Sequence, residues 1–192
     1  MTPQFAIIVV WSLWVASWMA AALWSDPAAK RPAFGEEWLY RIVTIAGAFL
    51  LFARLGRLDA VRFRLWDLGE GIDWALVAVA ALGLAFTWWA RLHLGRLWSS
   101  SVTKKADHRV VDTGPYAIVR HPIYTGILAA AFATAVLKGS PAAIAGALLM
   151  TFGLWIKARL EERFLRDELG ADAYDSYRRR TAMLVPFGPK SG

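Results

Sequence analysis

The chain contains no cysteine. This excludes a disulfide framework, a thiolate metal site and a cysteine nucleophile. Histidine is scarce as well: His93, His108 and His121 are too few and too scattered to suggest a metal cluster, so no metal is expected. The glycine signatures of soluble nucleotide-binding domains are missing. Gly69-Glu70-Gly71 begins a GxG, but Trp74 stands where the third glycine belongs, and no strand pattern precedes it. Neither GxxxxGK[ST] nor HExxH occurs. Acidic residues are outnumbered, with 15 Asp and Glu against 22 Lys and Arg, for a net charge of +7. Most of these cations flank apolar segments, so anionic lipid headgroups and membrane orientation explain the excess better than nucleic acid does. No nucleic-acid partner is expected.

What the chain has in abundance is apolar length. Of its 192 residues 57% are hydrophobic and 11 are Trp, and the mean hydropathy is +0.40. A helix needs roughly 20 apolar residues to cross a hydrocarbon core, and Trp favours the membrane–water boundary. The pattern predicts an all-α, polytopic membrane bundle of about five transmembrane helices with a C-terminal amphipathic helix.

The expected spans run about Gln4–Trp24, Glu37–Leu55, Ile72–Leu92, Ile123–Leu137 and Ala142–Lys157. No Lys or Arg precedes Lys30, so the first span reads as a retained helix rather than a signal peptide. Trp11, Trp14 and Trp18 share one face of it. That face is read as lipid contact or packing, with a ligand-facing stripe as the alternative. Arg41 is placed to snorkel to the interface, and Trp88 and Trp89 to anchor there. The stretch Arg57–Gly71 mixes Arg with Leu, Phe and Trp, as a surface-lying segment does. Gly139-Ser140-Pro141 joins the last two spans into a hairpin rich in Ala and Gly, which permits close helix approach.

The chain divides into 1–92, three N-terminal helices, and 93–192, a polar loop, the hairpin and an amphipathic tail. With the N-terminus outside, most Lys and Arg fall on the inner side, as the positive-inside rule favours. The basic 54–64 segment is the exception. The protein is thus expected in a membrane, read as the bacterial inner membrane, with its polar loops facing the cytoplasm.

Three polar clusters could carry chemistry. The first is Asp107–Gly126, DHRVVDTGPYAIVRHPIYTG. Gly114-Pro115 marks a turn, and Pro122 suits the first turn of a helix. Arg120 and His121 therefore stand at a helix N-terminus, where unpaired N–H groups favour an anion. Tyr116 and Tyr124 could stack on a base. An interfacial loop meeting headgroups is the bland alternative. The second cluster is Glu161-Glu162, just past an apolar span. It could hold a cationic group or form a solvated face, for example with Glu162 paired to Arg166. The third is Tyr174, Tyr177 and Arg178–Arg180, either a cationic tail on lipid or a binder of carboxylate or phosphate.

Taken together, these clusters resemble the isoprenylcysteine carboxyl methyltransferase family in its broad sense, bacterial members included. The resemblance rests on Gly95-Arg96-Leu97-Trp98-Ser99-Ser100, His108, Gly114-Pro115-Tyr116, Arg120-His121-Pro122-x-Tyr124-x-Gly126, Glu161-Glu162, Gly170, Tyr174-x-x-Tyr177, Arg180 and Pro186-Phe187. It covers residues 93–187. It implies an integral membrane methyltransferase that holds S-adenosyl-L-methionine in its C-terminal half without a Rossmann domain. The residues implied to bind the cofactor are His108, Tyr116, Arg120, His121, Pro122, Tyr124, Gly126, Glu161 and Glu162. Arg180 is implied to face the substrate, and Arg180 and Glu161 to serve catalysis. The implied acceptor is a lipophilic small molecule or a lipid-anchored substrate, with membrane lipids as surroundings and a carboxylate as one nucleophile. The His-Pro and Glu-Glu elements are shared with membrane phospholipid N-methyltransferases. Two further readings stay open: an NADPH-dependent membrane reductase using Lys104, Lys105 and Arg109, and a non-enzymatic membrane component.

Overall fold

A computed structural model describes residues 1–22, 34–52, 64–95 and 110–190. Its elements are α1 (Pro3–Ala22), α2 (Phe34–Phe52), α3 (Glu70–Leu94), the short α4 (Pro115–Ile118), α5 (Pro122–Lys138), α6 (Pro141–Leu169) and α7 (Ala171–Arg180). The described residues contain no β-strand, only an isolated parallel bridge between Val119 and Ala182. The all-α bundle is as expected. α1, α3 and α6 are each long and apolar enough to cross a membrane, and α5 is a shorter apolar helix. Large apolar side chains such as Leu13, Ile45, Phe49, Leu82, Leu148 and Phe152 point outward, as a lipid-facing surface requires.

The boundaries follow from local chemistry. Pro122 sits in the first turn of α5, where its missing N–H removes no bond. α5 ends at Gly139 in the left-handed region, whose N–H bonds to the Ala135 and Val136 carbonyls. Ser140 then caps α6 by accepting from the Ala143 N–H, with Pro141 next. The predicted hairpin is therefore present, with punctuation at each position that marks it.

One boundary differs from expectation. The fifth span does not stop near Lys157. Its helix runs 29 residues, to Leu169, because no breaker intervenes before Gly170, which has φ 92. Glu161 and Glu162 thus lie on this helix rather than beyond it. At 1.5 Å per residue, α6 is roughly 44 Å long, more than a hydrocarbon core of about 30 Å needs. Its last turns therefore project from the core, and the acidic pair sits near that boundary.

α2 packs most extensively on α6, and α3 on α5, with α1 against α3. Small residues permit this. A Cβ on Gly126 would come 2.3 Å from the Gly83 carbonyl oxygen, and one on Gly153 would come 2.3 Å from the Thr44 hydroxyl. Both contacts are closer than any side chain allows. The Trp face of α1 turns inward. The Trp11 indole N–H donates to Thr134 at 2.9 Å and that of Trp14 to Thr87 at 2.7 Å, while Trp18 stacks on Trp14. This is packing, as the sequence reading favoured. Trp88 also turns inward, donating to Ser17, whereas Trp89 is exposed. Arg41 pairs with Glu37 one turn earlier on α2. Of the stretch read as surface-lying, residues 57–63 fall outside the described residues. Its described end covers the hairpin turn: the Leu65 N–H donates to the Gly139 carbonyl and the Trp66 indole to that of Val136.

Candidate active site

The residues preceding α5 form an extended stretch tied to the C-terminal segment. The Arg120 N–H donates to the Ala182 carbonyl at 2.8 Å, and that of His121 to the Met183 carbonyl at 3.1 Å. The Thr125 hydroxyl donates to the Leu184 carbonyl at 2.6 Å. These bonds hold Arg120 and His121 at the mouth of α5, facing the acidic pair on α6.

A buried polar network results. Arg120, 4% exposed, donates through Nε to Glu162 Oε1 at 2.6 Å, and through Nη1 to the Arg178 carbonyl and the Thr181 carbonyl. Arg178 Nε lies 3.5 Å from Glu162 Oε2. The His121 ring bridges the two acids, with Nε2 3.3 Å from Glu162 and Nδ1 3.4 Å from Glu161. It lies parallel to the Tyr124 ring, centroids 5.3 Å apart. The Tyr124 hydroxyl donates to Glu161 Oε1 at 2.5 Å. Lys157, one turn back on α6, places Nζ 3.9 Å from Glu161 and over the rings of Tyr124 and Tyr40, at 5.2 and 5.6 Å.

The sequence placed Arg120, His121, Pro122, Tyr124, Glu161 and Glu162 in one site, and the fold brings them together. Tyr116 lies close by. It is buried, stacks on His93 at 6.3 Å and accepts from the Tyr177 hydroxyl through its carbonyl at 2.7 Å. Gly126 lies one turn further along α5, against Gly83 of α3. Arg180 stands apart from the network: its side chain is 64% exposed and pairs with Asp112 at 3.3 Å. The solvated-face reading of the acidic pair does not hold, since Glu162 meets Arg120, His121 and Arg178, while Arg166 pairs with Asp175 instead. His108, Lys104, Lys105 and Arg109 lie outside the described residues. The sequence reading gave no role to Lys157, Tyr40 or Arg178 as an individual residue. Lys157 was the findable one, standing four residues before Glu161 on a helix.

Electrostatics narrows the roles. Burial pulls the His121 pKa down, but hydrogen bonds to Glu161 and Glu162 outweigh it, so the ring titrates above its ordinary value and favours the imidazolium. Burial raises the phenols of Tyr116, Tyr174 and Tyr177, reinforced by nearby acidic groups. Those three stay protonated and act as donors and walls rather than bases. The arrangement presents carboxylates able to hold a cation, ringed by aromatic faces, beside a helix N-terminus without a side-chain cap.

A polytopic helical membrane protein with such a network at one end of its bundle is the class that fold and site define. Residues 76–167 match the model of the isoprenylcysteine carboxyl methyltransferase (ICMT) family, a stretch that takes in most of α3, all of α5 and most of α6. The chain is 44% identical over 75 residues to a methanethiol S-methyltransferase from a Pseudomonas strain, covering 37% of this chain and 26% of that protein. It is 33% identical over 106 residues to protein-S-isoprenylcysteine O-methyltransferase of Schizosaccharomyces pombe, covering 52% and 43%. It is 30% identical over 128 residues to the cobalt-zinc-cadmium resistance protein CzcN of Cupriavidus metallidurans, covering 63% and 53%. The chain thus spans between about a quarter and about a half of these relatives' lengths.

Proposed function

We propose that the protein is an integral membrane methyltransferase that takes its methyl group from S-adenosyl-L-methionine and passes it to a lipophilic acceptor, a carboxylate being the first choice. The observation that carries this reading is the placement of the Lys157 ammonium, against Glu161 and over the Tyr40 and Tyr124 rings. The surroundings of Glu161 accept an ammonium, and the donor's methionyl end carries one. The same end carries a carboxylate, which suits the Arg178 guanidinium, the imidazolium and the α5 N-terminus. The residues present therefore fit the cofactor.

When bound, the cofactor supplies a methyl group already activated on a sulfonium, open to in-line displacement. The protein's task is then positioning, which supplies much of the acceleration in such reactions. Glu161 binds the ammonium, with Tyr124 and His121 fixing its two oxygens. Glu162, Arg120 and His121 hold the α5 mouth against α6, so that Glu161 keeps its orientation. Aromatic and apolar walls exclude water. A carboxylate acceptor needs no general base. A thiol acceptor, as the Pseudomonas relative's name describes for that protein, is the second reading, and would need a proton acceptor such as Glu161. Arg180, exposed at the same end, is proposed to steer an anionic acceptor. The polar end is proposed to face the cytoplasm of a bacterial inner membrane, with the acceptor entering from the bilayer.

The first test is calorimetric titration of detergent-purified protein with S-adenosylhomocysteine. Micromolar binding is expected for wild type, lost in folded Glu161→Gln and His121→Ala. Absent binding by stable wild type, alongside binding of NADPH, overturns the proposal. Methyl transfer from labelled cofactor into membrane extract then sorts the acceptor, because base-labile label marks an ester and base-stable label marks nitrogen or sulfur.

A further inference from the structure

A second polar site lies at the far end of the bundle. α3 runs 25 residues, roughly 37 Å at 1.5 Å each, from Glu70 to the neighbourhood of His93 and Tyr116. At its first turn a cavity of about 380 Å³ is lined by Met1, Thr2, Gln4, Arg64, Asp67, Glu70 and Asp73 among others. Arg64, Asp67 and Glu70 are exposed around it, while Asp73 is only 5% exposed. Gln4 donates its amide to Asp73 Oδ2 at 3.2 Å. The other oxygen, Oδ1, is buried and finds no hydrogen-bond partner among the described residues. A buried carboxylate oxygen left so is costly.

Acids in the first turn of a helix favour its dipole, which accounts for Glu70 and Asp73 being acidic. It does not account for the unmet oxygen. The three carboxylates do not converge on a point either: no group of three His, Asp or Glu among the described residues could hold a metal ion. The cavity is far larger than an ion, and its charged lining side chains are three acids and one guanidinium, a dipolar set. Trp74, partly exposed, donates to Glu70 at 3.3 Å, and an amphipathic ring so placed marks headgroup depth.

We propose that this cavity binds a phosphoethanolamine group, that of an aminophospholipid, with the ammonium donating to Asp73 and the neighbouring acids and the phosphate meeting Arg64. A primary ammonium has N–H donors for Oδ1. A choline headgroup has none, and a glycerol headgroup lacks the cation. The site is independent of the methyltransferase reading, whose residues lie at the opposite end.

The test uses the full chain, stripped of lipid in detergent, in native mass spectrometry with phosphatidylethanolamine, phosphatidylcholine and phosphatidylglycerol of matched acyl chains. Wild type is expected to retain phosphatidylethanolamine about tenfold better than the other two, the order of one charge-assisted hydrogen bond. Asp73→Asn is expected to remove the preference while leaving S-adenosylhomocysteine binding unchanged. Should that variant fail to fold, Glu70→Gln, at an exposed position, carries the same comparison, whereas Arg64→Gln is expected to weaken retention of all three lipids, which share the phosphate. Displacement of the lipid by free phosphoethanolamine assigns the site to a soluble ligand of the same chemistry, and failure to displace it assigns the lipid. Equal retention of all three lipids, or a preference that survives in every variant, overturns the proposal.

Discussion

Removing Glu162 separates the structural half of the network from the binding half. Arg120 is 4% exposed, with Glu162 its carboxylate at 2.6 Å. The Glu162→Ala variant takes the carboxylate at 2.6 Å away from a buried guanidinium, and breaking a buried pair in this way costs about 3–5 kcal/mol. Against a total stability of about 5–15 kcal/mol, that is a large fraction. For a chain of this size it lowers the unfolding midpoint by roughly 6–20 °C. The Arg120→Met/Glu162→Leu double variant removes both charges and is expected to recover part of the loss, because apolar replacement of a buried pair is often neutral while the carbonyls, His121 and Arg178 that the pair served still lose their partners. Glu161→Ala is expected to lose ligand binding with a smaller effect on the midpoint, since Glu161 is the more exposed of the two acids, at 19%. The assay is thermal unfolding in detergent, with and without S-adenosylhomocysteine. An unchanged midpoint in Glu162→Ala, or a double variant less stable than the single, refutes the view that Glu162 holds Arg120 and the α5 mouth in place.

Three further outcomes are expected. The His121 pKa is raised above 6.5 in the folded chain, so the ring's contribution is complete below about 6.5 and is lost as pH rises through the folded value. A thermal midpoint that declines on the alkaline side in wild type, and is flatter there in His121→Gln, checks this. Gly126→Ala forces a Cβ to 2.3 Å from the Gly83 carbonyl oxygen and should cost about 1–3 kcal/mol through overpacking, read as a lower midpoint and weaker ligand binding together. Trp11→Phe removes a donor to Thr134 and trims a buried indole to a benzene ring, so the loss should exceed the about 0.5–1.5 kcal/mol of the hydrogen bond alone, measured in the same unfolding assay.

The hairpin was the part of the fold most legible in sequence, because Pro122, Gly139, Ser140 and Pro141 each act on their own stretch of backbone. The Arg120-His121-Pro122 and Glu161-Glu162 elements were joined in sequence by the family resemblance alone, and their similar distances from the hairpin turn are what place them level in the fold. The length of α6 was misjudged at Lys157, since hydropathy falls there although nothing breaks the helix before Gly170. The pairing of Arg120 and His121 with Ala182 and Met183 left no local trace. It is made by main-chain groups about 60 residues apart, which any side-chain pattern permits. Tyr40 was equally silent, because only the packing of α2 on α6 carries its ring to Lys157.

The distribution of charge along the hairpin bears on how the chain enters a bilayer. Between His121 and Lys157 the sequence holds one ionisable cation, Lys138, and no acid. Lys138 reaches back to the Leu51 carbonyl at the end of α2. In the proposed orientation the loop of the hairpin is the end that must be translocated, so insertion drags a single ammonium through hydrocarbon, with a carbonyl waiting for it. Every group of the polar network stays on the side of synthesis. The two arms can then meet as soon as α6 leaves the insertion machinery.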